Sequence, residues 1–167
     1  MTKHPNLNIP VRAALLLIVV RLAFHFADIN WPEFQMIYVF LAVGALIPLC
    51  IYAIWPRGNQ QPEFLKEITG ALRVMAAYAI IMIVFIVVYY AFIDTSYFPE
   101  KRAEITRLAI ESEPDADPIE LTKKAEEFFS LRNFSILLLV GFLISSGFYA
   151  LFFTIIKRVF MNRKEAV

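Results

Sequence analysis

The chain has 167 residues, 59% of them apolar and only 19% charged, with a formal net charge of +1 and a mean hydropathy of +0.62. Soluble domains average about 45–50% apolar and about 25% charged, and nucleic-acid binders carry a basic excess. The composition therefore excludes an ordinary soluble enzyme, a disordered chain and a nucleic-acid-binding protein.

The excess is segregated. Phe34–Trp55, Val74–Ile93 and Phe134–Ile156 are runs of 22, 20 and 23 residues without Asp, Glu, Lys or Arg. Each can cross a hydrocarbon core of about 30 Å. The fold class expected is an all-α membrane protein, one domain over residues 1–167, with four transmembrane helices and a helical extracytoplasmic loop between the third and fourth.

The first span is placed at about 10–27. Lys3, Arg12 and the apolar stretch after them resemble a signal peptide, but Arg21 and His25 interrupt that stretch and Phe26-Ala27-Asp28 is a poor cleavage site. A membrane helix is the better reading, although a central arginine costs about 2.5–3.5 kcal/mol on insertion scales. The polar turn Asp28–Glu33 joins it to a second span at 34–55, in which Pro48 predicts a kink. Pro56-Arg57-Gly58-Asn59-Gln60-Gln61-Pro62 is a breaker-rich turn. A cytosolic helical extension then starts at Pro62 and runs into the third span, 71–93.

The loop at 94–133 reads as two short helices, Pro99–Glu111 and Pro118–Arg132, around an acidic turn at Pro114–Asp117. In the second, Leu121, Ala125 and Phe128 recur at helical spacing and predict a face resting on the membrane surface or the span ends. The fourth span is 134–156. Tyr89-Tyr90 and Tyr97-Phe98 are expected to anchor the outer end of the third span. The four spans put both termini on one side, which holds nine Lys and Arg against six in the long loop. The basic bias places both termini in the cytoplasm. Lys157-Arg158 and Arg163-Lys164 in the tail would also favour anionic inner-leaflet lipid.

Candidate chemistry is sparse. The only histidines are His4 and His25, Cys50 is the lone cysteine, and no metal-ligand cluster, phosphate loop or nucleophile–base constellation is evident. No cofactor is expected, and the charge-free spans contain no acid. Arg21, His25 and Asp28, spaced i, i+4 and i+7, share one helical face. They form a candidate contact for an anion, either a lipid phosphate or a partner's carboxylate. The structural alternative is that Arg21 snorkels, or bonds tyrosine hydroxyls and backbone carbonyls within the bundle, beside a neutral His25. Gly141 with Ser145, and Ser146 with Ala150, are pairs of small residues four apart. They are candidate helix-packing positions, within the bundle or against another subunit.

Glu63-Phe64-Leu65-Lys66-Glu67, Gly70, the aliphatic span closing in Tyr89-Tyr90-Ala91-Phe92-Ile93-Asp94, and later Gly141-Phe142-Leu143-Ile144-Ser145-Ser146 running to Ile156-Lys157-Arg158 carry a family resemblance. Over about residues 63–160 the chain resembles an uncharacterised membrane-protein family, domain of unknown function 4199. The resemblance implies a four-span inner-membrane protein of Bacteroidota-type bacteria, encoded near lipid-linked glycosyltransferases. It supplies no catalytic residues.

The function expected is a non-enzymatic accessory or assembly subunit of a larger inner-membrane complex, whose partners are the lipid bilayer and another membrane protein. The alternative is a lipid-handling protein that binds a phospholipid or polyprenyl phosphate in support of lipid-linked sugar transfer. A small transporter or channel comes third, because the spans offer almost no polar path.

Overall fold

The computed structural model describes residues 7–27, 32–55, 63–113 and 117–165, without the side chains of 32–36 and 161–165. The described residues are helical almost throughout. The helices are α1 (Asn8–Phe26), α2 (Pro32–Gly44), α3 (Leu46–Ile54), α4 (Phe64–Val88) with a π-helical extension Tyr89–Ile93, α5 (Tyr97–Ser112), α6 (Pro118–Phe128) and α7 (Leu131–Glu165). Among the described residues, four helical stretches are long and apolar enough to cross a membrane: Asn8–Phe26, Ile37–Ile54, Phe64–Ile93 and Leu131–Phe160. The protein is a multi-pass, all-α membrane protein.

The spans differ from the sequence expectation at identifiable residues. The second is broken at Ala45, where α2 ends and α3 begins. Pro48 is the cause, since it lacks an N–H and its ring crowds the carbonyl four residues back, that of Gly44. The backbone around the break keeps the Ala45 N–H to Leu41 carbonyl bond at 2.9 Å, while the Leu49 N–H to Ala45 carbonyl bond stretches to 3.3 Å. The expected kink is therefore expressed about one turn N-terminal to the proline. The breaker-rich turn and Asp28 lie outside the described residues.

The fourth helix starts at Leu131, not at 134, and α6 stops at Phe128, not at Arg132. Ser130 explains both. Its hydroxyl accepts from the Asn133 N–H at 3.2 Å, as an N-cap does, and the Asn133 side chain donates back to the Glu127 carbonyl, satisfying one of the open acceptors at the end of α6. At its far end α7 runs past Ile156 to Glu165, 35 residues in all. That is about 50 Å at 1.5 Å per residue, longer than the hydrocarbon core.

The chain divides into two compact units, Met1–Met82 with Gly141–Val167, and Ile83–Val140. In the first, each helix contributes one narrow buried stripe: Pro10, Ala14, Leu17 and Arg21 from α1, Leu46, Leu49, Cys50, Ala53 and Ile54 from α3. Glu67, Ala71, Val74, Met75, Tyr78, Ala79 and Met82 are the buried residues of α4 within this unit, and Phe142, Ser146, Ala150, Thr154 and Lys157 those of α7. The opposite faces keep their apolar side chains outward, among them Leu16, Val19, Leu143, Ile144 and Phe148, each at least 59% exposed. A soluble protein does not leave continuous apolar faces uncovered, whereas lipid is their solvent in a bilayer. The buried Tyr78 hydroxyl donates to the Ala42 carbonyl at 2.8 Å, fastening α4 to the end of α2 beside the break.

The second unit is built around Tyr90. The π segment, closed by the Asp94 N–H bonding the Tyr89 carbonyl at 2.9 Å, widens the end of α4 by one residue. The Tyr90 ring lies 4.8 Å from Tyr97, 5.1 Å from Tyr89, 5.3 Å from Phe98 and 5.9 Å from Phe134. The tyrosines expected as separate interfacial anchors thus pack into one cluster, with Tyr89 and Phe98 buried. The two expected loop helices are present and pack on each other. The Asp117 carboxylate caps α6, accepting from the Ile119 N–H at 2.9 Å, with Pro118 opening the helix. Ala125 of the predicted stripe is buried and Leu121 half-buried, but Phe128 is 78% exposed. The helix ends there, so the last member of the stripe overhangs the pair.

Candidate functional site

The first unit contains a charge cluster that the sequence reading did not assemble. Glu67 lies in the first turn of α4 and Lys157 near the end of the apolar stretch of α7. Ninety residues apart in sequence, they form an ion pair with 2% and 6% of their side chains exposed. The ammonium also donates to the Ile54 carbonyl at 3.0 Å. Ile54 is the last residue of α3, where carbonyls lack intrahelical partners and the helix dipole is negative. Glu67 stands at the positive end of α4, where an acid is favoured. One ammonium thus joins the end of α3, the start of α4 and the inner face of α7.

The other oxygen of Glu67 faces Arg158. The Nε atom of Arg158 lies 3.5 Å from Oε2, and its side chain is 33% exposed. The guanidinium carbon sits 5.1 Å from the centre of the Phe64 ring, a cation–π arrangement. One turn earlier on α7, Thr154 is fully buried, and its hydroxyl has no hydrogen-bond partner among the described residues. Lys157 is therefore not a solvated tail residue facing lipid, as expected, but a buried cross-link. The chain does place an acid among its apolar helices, because Glu67 turns into the bundle instead of belonging to a surface extension.

Arg21 goes inward as well. It is 6% exposed, the last member of the buried stripe of α1, and its guanidinium carbon lies 5.6 Å from the centre of the buried Tyr38 ring. A desolvated guanidinium over an aromatic face is worth about 2 kcal/mol, which offsets most of the insertion cost of the arginine. His25, one turn on, is half-buried. The small-residue positions separate: Ser146 and Ala150 lie on the buried stripe of α7, whereas Gly141 and Ser145 are half-buried. A Cβ added at Gly141 would meet nothing within 4 Å, so no backbone approaches closely there. Among the described residues no group of three or more His, Cys, Asp or Glu could hold a metal ion.

The family model for proteins of unknown function DUF4199 matches residues 11–163. The chain belongs to that family. The match runs from within the first span of this DUF4199 protein through the end of the fourth, and includes the Arg21 and Glu67–Lys157–Arg158 sites. No curated protein and no solved structure matches it.

Proposed function

We propose that this DUF4199 protein is a non-enzymatic accessory or assembly subunit of a larger complex in a bacterial inner membrane, with both termini in the cytoplasm. The observation that carries the reading is where the charge of the helices goes. Glu67, Lys157 and Arg158 engage one another and Arg21 covers Tyr38, so these groups hold helices together instead of lining a path or presenting a reactive atom. The outward faces of α1 and α7 remain apolar and suit lipid or a neighbouring helix. The orientation follows from the basic residues, since setting the buried Lys157 aside leaves eight of the nine against six. Purification in mild detergent from cells expressing the protein at its native level should recover a stoichiometric membrane-protein partner. Recovery as a free monomer alone would sink the reading.

A second reading is favoured by one specific arrangement, the half-buried His25 one turn from Arg21 on the same helix face. There a lipid-handling protein would receive a phospholipid or polyprenyl phosphate. Native mass spectrometry of wild type and Arg21→Ala decides it: equal retention by both, or retention by neither, removes it. A transport role would require solute flux in reconstituted liposomes, and none is expected.

A further inference from the structure

Threonine and serine side chains within helices commonly return their hydroxyl to the carbonyl one turn back. Thr69, Ser112, Thr122 and Ser135 do so, donating at 2.8, 2.9, 2.8 and 2.7 Å to the carbonyls of Leu65, Leu108, Pro118 and Leu131. Thr154 does not. It is fully buried, and its hydroxyl has no hydrogen-bond partner among the described residues, although the Ala150 carbonyl lies one turn back on the same helix. A buried hydroxyl is costly to leave unpaired, and such groups almost always have a protein or water partner.

The surroundings narrow what that partner is. Lys157 is three residues on and shares the buried stripe of α7, and residues three apart on a helix have Cβ atoms about 5–6 Å apart. Long helical side chains lean back over the preceding turn, which here holds Thr154. The Lys157 ammonium has three donors, and the Glu67 carboxylate and the Ile54 carbonyl take one each. One turn further into the bundle from Ile54, Glu67 and Lys157 stand Cys50, Ala71 and Thr154, all fully buried and all small.

An occupant joining the hydroxyl to this pair must be small and neutral, since a cation would meet the ammonium and an anion the carboxylate. It must also accept from an ammonium while bonding a hydroxyl. Water meets each condition, and a buried water typically makes about three hydrogen bonds to polar groups that are otherwise unpaired.

We propose that the turn of α7 from Thr154 to Lys157 walls a binding site for one internal water molecule. The water accepts from the third donor of Lys157 and bonds the Thr154 hydroxyl and the Glu67 carboxylate, so the buried pair is the charged half of a hydrated network. The site goes beyond the accessory-subunit reading and exists whether or not a protein partner does.

The full-length protein in nanodiscs is taken to a resolution at which ordered water is visible. Wild type should show a density peak within about 2.7–3.2 Å of both Thr154 Oγ1 and Lys157 Nζ. Reversible SDS unfolding of the reconstituted protein then supplies a sign. Thr154→Val keeps the shape of the side chain and removes the hydroxyl. It should lower the unfolding midpoint if water bridges the hydroxyl, whereas removing an orphaned hydroxyl would raise it. In a Lys157→Met background, where the water has lost an anchor, Thr154→Val should shift the midpoint less than it does in wild type. The proposal is overturned by any one of four results: no such peak, a Thr154 hydroxyl found on the Ala150 carbonyl, a midpoint raised or unmoved by Thr154→Val, or an equal shift in the two backgrounds. The first two are read from wild type alone, so a variant that fails to fold does not protect the idea.

Discussion

Glu67 with Lys157, and Glu104 with Lys101, are the same two side chains in opposite surroundings. The first pair is 2% and 6% exposed and ties helices ninety residues apart. The second is 47% and 39% exposed, one turn apart on α5, at 2.6 Å. Good geometry is thus common to both, and the difference lies in what happens when a partner is lost. A half-exposed ion regains water. A buried one has nowhere to go, so removing its partner costs about 3–5 kcal/mol.

The largest effect should therefore come from the buried pair, and it should be asymmetric. Glu67→Gln takes the carboxylate from the buried Lys157 ammonium, and an expected loss of about 3–5 kcal/mol would show in reversible SDS unfolding of the reconstituted protein. Lys157→Met leaves Glu67 with Arg158, 3.5 Å away, and should cost less. The double variant Glu67→Leu/Lys157→Met should recover much of the loss, because apolar replacement of a whole buried pair is often close to neutral. Equal penalties for the two single variants, or a double variant as unstable as their sum, would show that burial is not what separates the two pairs.

That asymmetry also explains what the sequence made legible. Arg21 stood out because it interrupts an apolar run, and the structure finds it buried. Lys157 did not, because it follows an apolar run of 23 residues and a cation there reads as a topological flank. Glu67 reads as the polar lead of a span for the same reason. A signal was nonetheless present. Glu67 continues the helical spacing of Ala71, Val74 and Tyr78, and Lys157 continues that of Ser146, Ala150 and Thr154, so both belong to the inward stripes of their helices. Periodicity could have flagged each residue but not joined them, since pairing across ninety residues depends on how helices pack. The number and place of the spans were readable because hydropathy acts along the chain. The shift of the break to Ala45 and the helix end at Phe128 depended on single capping and proline contacts that a window of apolar residues averages away.

Arg21 offers an intermediate case, a buried cation set against an aromatic ring, that of Tyr38. Tyr38→Leu removes the aromatic face while leaving the guanidinium in place, and should destabilise by about 1–2 kcal/mol. Arg21→Met removes the contact with Tyr38 together with every other contact of the guanidinium, so it should cost at least as much as Tyr38→Leu in the same unfolding assay. If Arg21→Met proved the less damaging, the desolvation burden of the arginine would outweigh its contacts, and the ranking of buried partners would have to be redrawn.

The smallest effect belongs to the exposed pair, and pH is the way to see it. The hydrogen bond from Lys101 holds the Glu104 carboxyl below the ordinary carboxylate range, and the same bond raises the Lys101 ammonium. A depressed carboxyl stabilises the fold above its unfolded pKa, and that contribution fades as pH falls through the folded value. A raised ammonium stabilises below its unfolded pKa, and that contribution fades as pH rises through the folded value. Between those limits both are present and the pair's contribution is independent of pH. Carboxyl NMR titration of Glu104 in wild type and Lys101→Ala should show its midpoint return upward in the variant, while the unfolding midpoint near neutral pH barely moves, because water and salt replace most of what the lysine supplied. A shift in unfolding as large as that of Glu67→Gln would mean that α5 holds its charges in a setting as dry as the end of α7, and the contrast between the two pairs would fall.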